Sequence, residues 1–135
     1  MKPEPAMFEW PTHKPEPPII DAAYLARLGK LVGTPVMAEL LADGLIELAD
    51  RVARLAELET AGDLDAIARI GHDLVGMAGH LGLTRLSAMA AEMNRAARAK
   101  GGVVKNVAAQ VAEARRLGEA SAEAIRRHLE GMHRE

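Results

Sequence analysis

The stretch GDLDAIARIGHDLVGMAGHLGLT, residues 62–84, decides the fold that we predict for this chain. It opens with Gly-Asp, a pair typical of a turn followed by a helix N-cap, and it closes with a second turn at residues 82–84. Between the turns, apolar or small residues recur at the three- and four-residue steps of an amphipathic helix. These residues are Leu64, Ile67, Gly71, Leu74, Ala78 and Leu81. The stretch therefore predicts one helix bounded by tight turns.

The same period continues on both sides of this helix. Asp21 is a predicted N-cap for a short leading helix that ends at Gly33, and Thr34-Pro35 supplies an N-cap and a first-turn proline for the next helix. Two further helices follow the quoted stretch, separated by Gly101-Gly102. Four long amphipathic helices with short connections, plus the short leading helix, predict an all-α fold. The expected architecture is an antiparallel up-down four-helix bundle.

The composition of the 135-residue chain excludes several classes of protein and of site. Hydrophobic residues make up 49% but aromatic residues only 2%, a balance that favours helices over a β-sandwich or barrel. The absence of cysteine excludes disulfides, zinc ribbons, iron–sulfur sites and a thiol nucleophile. A net charge of −2 argues against general nucleic-acid binding, and no apolar run approaches the ~18 residues of a membrane span. We expect a single-domain, soluble cytoplasmic protein.

The distribution of prolines divides the chain into two parts, with the boundary after residue 18. Six of the seven prolines lie within residues 1–18, and proline removes backbone donors and disfavours helix at the preceding residue. We therefore expect a disordered, proline-rich arm over residues 1–18 and a helical bundle over residues 19–135. The arm also contains Phe8 and Trp10. It is either a loosely packed tail or a docking motif that lays these two rings on a partner or on the bundle.

One histidine in the quoted stretch faces away from the predicted core. At about 100° per residue, His72 lies about 140° from the centre of the apolar set, and Gly76 and Gly79 lie on the same outward stripe. Each glycine inside a helix costs roughly 0.5–1 kcal/mol relative to alanine, so a compensating role is expected. An exposed imidazole is mostly neutral and nucleophilic at pH 7. Above a bare surface, it suits a reaction whose other half comes from a partner.

These motifs resemble the histidine-containing phosphotransfer (HPt) domain of bacterial two-component phosphorelays. The resemblance rests on the Gly-Asp turn, on His-Asp-Leu-Val-Gly at residues 72–76, on Leu-Gly at residues 81–82 and on the five-helix layout. It implies that His72 accepts a phosphoryl group and passes it between the aspartates of receiver domains. It also implies that Gly76 lets the receiver approach, and that Asn94 on the fourth of the five helices hydrogen-bonds the histidine and orients it. The receiver would supply Mg²⁺, so we expect no cofactor of the protein's own.

The chain departs from the family's pattern at three positions beside the histidine. Val75 replaces the usual lysine, Met77 replaces a serine or alanine, and Gly71 replaces an alanine. The lysine would contribute positive charge near the phosphoryl group, and Arg69 or Arg95 can supply that charge instead. We expect Val75 and Met77 to form the partner-binding surface together with the two outward glycines.

The alternative function is that of an interaction module, which binds and regulates a receiver or a histidine kinase without being phosphorylated. Val75 favours this alternative, because it replaces the usual lysine. In either case we expect a monomer whose partners are receiver domains or a hybrid histidine kinase, with no nucleic acid, membrane or metal.

A carboxylate-bridged metal site in a bundle needs Glu-x-x-His twice, whereas this chain has it once, at Glu130 and His133. No ATP-binding loop is present, so we predict a phosphohistidine carrier without its own substrate pocket. We interpret His80 as a surface residue.

Overall fold

Five α-helices account for most of residues 16–99 and 104–133, the part of the chain that this computed structural model describes. In chain order they are α1 (Ala22–Val32), α2 (Thr34–Ala61), α3 (Leu64–His80), α4 (Thr84–Arg98) and α5 (Val104–His133). No strand occurs in these two ranges, so the all-α prediction is confirmed. Phe8, Trp10 and the Gly101-Gly102 break lie outside the described residues, together with most of the predicted arm.

Capping residues determine where α1 and α3 begin. Asp21 accepts a hydrogen bond from the backbone nitrogen of Tyr24 at 3.0 Å, and Asp63 accepts one from the backbone nitrogen of Ala66 at 3.1 Å. Gly62 ends α2 in the left-handed conformation, with a φ of 69° that residues with a β-carbon rarely adopt. Both aspartate caps and the turn between α2 and α3 therefore agree with the sequence prediction.

The start of α2 differs by one residue from the prediction. Thr34 was expected to cap the helix, but Gly33 occupies the N-cap position and Thr34 is the first helical residue. Gly33 has a φ of 89°, which allows the sharp turn from α1 into α2. Pro35 still lies in the first turn, where its missing N–H group is harmless.

The four long helices form a ring in which each packs against two neighbours: α2 against α3, α3 against α4, α4 against α5, and α5 against α2. The hydrogen bonds between α3 and α4 show that these helices run antiparallel. Ser87 Oγ donates to the carbonyl of Val75, whereas Asn94, about two turns further along α4, donates to the carbonyl of Ala68, earlier on α3. The short helix α1 packs against α2. The predicted antiparallel bundle with a short leading helix is confirmed.

Aliphatic side chains fill the centre of the bundle. The largest fully buried residues are Leu25, Met37, Leu41, Leu48, Leu55, Ile67, Leu74, Leu83, Leu86, Met93, Val107 and Ile125. Two glycines make room for large side chains: a β-carbon at Gly44 would lie 2.7 Å from the side chain of Leu81, just after α3, and one at Gly118 would lie 2.5 Å from the side chain of Val52. This packing holds α3 in a defined register between α2 and α4. None of the helices in the described ranges is long and apolar enough to cross a membrane.

The last residues of the predicted arm contact the beginning of α4. The carbonyl of Pro17 accepts a hydrogen bond from Arg85 Nε at 2.7 Å, and the carbonyl of Pro18 accepts one from Thr84 Oγ1 at 2.7 Å. A carboxylate oxygen of Glu16 lies 3.5 Å from the same guanidinium. Within the described part of the chain, the last three residues assigned to the arm, Glu16 to Pro18, therefore contact the bundle.

Candidate functional site

His72 lies in the middle of α3, on the face that is turned away from the bundle. The buried residues of this helix are Ala66, Ile67, Ala68, Ile70, Gly71, Leu74 and Ala78. The side chain of His72 is exposed, and it has neither a hydrogen bond nor an ion pair with any described residue. This position agrees with the helical wheel, and it leaves the imidazole accessible to a partner molecule.

The surface beside His72 is bare because two glycines follow it on the same side of α3. Gly76 and Gly79 are exposed, and a β-carbon built on either residue would meet no neighbouring atom within 4 Å. Packing within the described bundle therefore does not require glycine at either position. Each glycine nevertheless lowers helix stability by roughly 0.5–1 kcal/mol relative to alanine. We call His72, Gly76 and Gly79 the histidine face.

Gly71, the residue before the histidine, has the opposite environment. It is buried, and a β-carbon at this position would lie 3.1 Å from the carbonyl oxygen of Ala90 and 3.2 Å from the backbone nitrogen of Asn94. Both of these atoms belong to the backbone of α4, which cannot rotate away as a flexible side chain can. The glycine therefore lets α4 approach α3 closely at the level of His72, which accounts for a glycine where the resemblance leads us to expect alanine.

Asn94 contacts the backbone of α3 and not the imidazole of His72. Its Nδ2 donates a hydrogen bond of 2.6 Å to the carbonyl oxygen of Ala68. That carbonyl lies four residues before His72, so in an α-helix it is also the acceptor for the backbone N–H of His72. Among the described residues, the expected hydrogen bond between Asn94 and the histidine ring is not formed. Any orienting effect of Asn94 in this structure acts through the α3 backbone.

Val75 and Met77, the other two residues expected at the partner-binding surface, lie in different places. Val75 is partly buried at the side of α3 that faces α4, where its carbonyl accepts the hydrogen bond from Ser87. Met77 follows His72 by five residues, which places it about 140° further around the helix. It lines a groove between α3 and α2, together with Leu40 and Gly44 of α2. Val75 therefore borders the histidine face, whereas Met77 lies outside it.

Arg69 lies one turn before His72 and is exposed, as is Arg95 on α4. Neither guanidinium has an ion pair with a carboxylate in the described part of the chain. Residues three apart on a helix are surface neighbours, with β-carbons about 5–6 Å apart, so Arg69 borders the histidine face. Arg69 also lines a groove with Arg51 and Arg54 of α2. No sequence motif marks these two arginines, and only the register between α2 and α3 reveals them.

His80, the second histidine of α3, is exposed at the C-terminal end of the helix. Its Nδ1 lies 2.8 Å from the carbonyl oxygen of Gly76, so Nδ1 carries the proton that the carbonyl accepts. The carbonyl of His80 accepts a hydrogen bond from the hydroxyl of Tyr24. His80 is thus a surface residue, as predicted, but one whose ring is held by a local hydrogen bond, in contrast to the ring of His72.

The site as a whole offers an unhindered nucleophile without an enclosing pocket. A neutral imidazole can attack an electrophile that another macromolecule brings to it, and the bare helix surface permits that molecule to approach closely. The model of the Hpt domain family matches residues 39–133, from the first third of α2 to the end of α5. No curated protein and no solved structure matches the chain.

Proposed function

Because this chain belongs to the Hpt domain family, whose members carry out histidine phosphotransfer in two-component signalling, we propose that it relays a phosphoryl group between receiver-domain aspartates through His72. The observation that carries the proposal is the environment of His72 on α3. The ring is exposed and has no partner among the described residues, and the two glycines that follow it leave room for a docked protein.

The proposed reaction is a direct and reversible transfer. A lone pair on an imidazole nitrogen of His72 attacks the phosphorus of an aspartyl phosphate, forming an N–P bond as the P–O bond to the aspartate breaks. The aspartate leaves as a carboxylate, and the imidazole becomes a phosphoimidazolium that retains its other N–H proton, so charge and atoms balance. Attack by the carboxylate of a second receiver reverses these steps. The protein acts as a phosphohistidine carrier and needs no ATP site of its own.

Transfer of a phosphoryl group requires positioning and stabilisation of negative charge more than it requires further covalent chemistry. We propose that the receiver domain supplies the Mg²⁺ that neutralises part of this charge. Within this chain, Arg69 is the cation nearest in sequence to His72 on the outward face of α3, and Arg95 is the candidate on α4. Asn94 then serves as a positioning residue, since it touches the α3 backbone one turn before the histidine.

The partners that fit this proposal are receiver domains, with a hybrid histidine kinase as a further source of phosphoryl groups. We propose that the protein acts as a monomer in the cytoplasm, with Gly76 and Gly79 in direct contact with the receiver. Val75 borders that contact, and Met77 lies outside the histidine face, in a groove between α3 and α2.

A second function, regulation of a receiver or kinase by docking without phosphorylation, is favoured by Val75. This apolar residue stands where the family usually has a lysine, and the structure holds it partly buried beside α4. The two functions share the same docking surface and differ only in whether His72 becomes covalently modified.

Incubation of the protein with a ³²P-labelled phospho-receiver and Mg²⁺ separates these functions. Phosphohistidine is labile in acid and stable in base, and the relay proposal predicts label with these properties on the wild-type protein and none on His72→Gln. The matched control is His80→Gln, which removes an exposed histidine from the same helix and should retain the label. Binding of the receiver without any labelling would support the docking function, and label that survives in His72→Gln would assign the reaction to another residue.

A further inference from the structure

Three arginines surround a groove between α2 and α3. The proposed reaction involves only one of them, Arg69, at the edge of the groove. The groove has a volume of about 230 Å³ and is lined by Asp50, Arg51, Arg54, Ala66, Arg69, Ile70 and Asp73. Ala66 and Ile70 are buried and provide an apolar floor, while the charged residues stand along the walls. We call this feature the arginine groove.

The guanidinium groups of the arginine groove are less neutralised than those of α5, where arginines form ion pairs with glutamates. Arg54 and Arg69 have no ion pair within the described residues. Arg51 has a single contact, at 3.7 Å, with Asp50, its neighbour in sequence. Its side chain is 30% exposed, so most of its surface is covered by neighbouring residues. Three arginines against two aspartates leave the groove positively charged.

The arginine groove adjoins the histidine face through Arg69, the residue that lines the groove and lies one turn before His72. A typical protein–protein interface covers roughly 800 Å² on each partner, many times the area of one histidine side chain. A globular domain that places a phosphoryl group on His72 therefore also covers the neighbouring groove. The arginines of the groove then face the surface of that domain.

We propose that the arginine groove is a second contact site for the receiver domain, and that it binds carboxylates of an acidic patch on that domain. This inference rests on the proposed function. Arg51 and Arg54 hold the receiver in the orientation that brings its phosphoryl group to His72, and they provide from α2 some of the attraction that is missing at Val75. Opposite charges on two partners also accelerate their association, and salt weakens this effect.

The direct test is a binding titration of the full chain with an isolated receiver domain in the His72→Gln background, where transfer cannot occur. The receiver is the one that labels the wild-type protein fastest or, if none labels it, the one that binds it most tightly. The test variant is Arg51→Gln with Arg54→Gln, and the matched control is Arg126→Gln with Arg127→Gln, which removes the same charge from α5. Arg51→Lys with Arg54→Lys retains the charge and reports any effect of side-chain shape.

We expect the test variant to raise the Kd about tenfold, as the loss of two charged contacts at an interface should, while the control changes it less than about twofold. The affinity of the test variant should also fall less steeply with salt, and the lysine variant should regain most of the binding. Equal effects of the test and control variants, whether both weaken binding or neither does, overturn the proposal. So does a lysine variant that binds as weakly as the glutamine variant.

The failure of this inference can be distinguished from the failure of the proposed function. If His72 is labelled but the groove variants bind normally, the relay function stands and the groove proposal is wrong. If no receiver labels the protein but the groove variants lose affinity selectively, the groove is a docking site and the relay function is wrong. If no receiver domain binds or labels the protein, both are overturned.

Discussion

A β-carbon on Gly71 would lie 3.2 Å from the backbone nitrogen of Asn94, so tight a contact that α4 would have to shift by a few tenths of an ångström. The same approach brings the amide of Asn94 to the carbonyl of Ala68 at 2.6 Å. The α3 helix is thus tightly packed against α4 on one side of His72, whereas the other side of the histidine is bare at Gly76. A firmly held helix with an open surface is suited to present one side chain to a partner.

Gly71→Ala should destabilise the bundle by about 1 kcal/mol, because the added methyl group presses on the backbone of α4 and outweighs the gain in helix propensity. Urea denaturation of the two proteins measures this difference. Gly76→Ala is the matched control, since it makes the same change five residues later, where there is open space. A Gly71→Ala variant that is as stable as Gly76→Ala would contradict the close approach of the helices.

Gly76→Ala and Gly79→Ala should each stabilise the isolated protein by roughly 0.5–1 kcal/mol, since alanine is the better helix former and nothing in the described bundle obstructs its methyl group. The same substitutions should slow phosphoryl transfer from a receiver, because the methyl groups hold the partner away from His72. Denaturation and transfer rates measured on the same samples test both statements. Variants that are more stable and also transfer at the wild-type rate would show that the receiver does not use this surface.

Asn94→Asp should lower the free energy of unfolding at neutral pH by about 1–3 kcal/mol, because a carboxylate cannot donate to the carbonyl of Ala68 and places negative charge against it. Asn94→Ala should cost less, since that carbonyl keeps the backbone N–H of His72 as a donor. The unfavourable contact raises the pKa of this carboxyl in the folded protein, so the deficit of the aspartate variant should shrink as the pH falls towards roughly 4, and the protonated carboxyl can then donate again. Denaturation at two pH values provides the measurement, and a deficit that grows at low pH would rule out this assignment of the hydrogen bond.

Val75→Lys should accelerate phosphoryl transfer about two- to fivefold, because a lysine stem can extend from this partly buried position and bring its ammonium group towards His72. Val75→Gln has a similar shape without the charge and should transfer at close to the wild-type rate. Single-turnover transfer kinetics at low and high salt measure the effect, which should diminish as salt screens the charge. Equal rates for the lysine and glutamine variants would mean that charge at position 75 does not limit the reaction.

Much of the fold follows from local sequence signals. The caps at Asp21 and Asp63, the glycine turn at Gly62 and the apolar period of each helix depend on residues within one or two turns, so the sequence alone predicts them. The outward direction of His72 belongs to the same class, because the periodicity of a single helix determines it. The exclusion of Met77 from the histidine face was also within reach of the helical wheel.

Contacts between helices could not be predicted in the same way. The partner of Asn94 depends on how closely α4 approaches α3, and that distance is determined by Gly71 and by the packing around it. The arginine groove depends on the rotation and register of α2 against α3, which bring Arg51 and Arg54 beside Arg69 from separate segments of the chain. Helical periodicity describes each helix alone and carries no information on either relationship.

The residue that carries the phosphoryl group can be identified directly by tandem mass spectrometry of the wild-type protein after incubation with a phospho-receiver and Mg²⁺. Samples kept at neutral or alkaline pH retain phosphohistidine through proteolysis and fragmentation. The relay function predicts that the modification lies on His72 and that His80, within the same helix, remains unmodified. A phosphoryl group on His80 or on any other residue, with His72 unmodified, would contradict it.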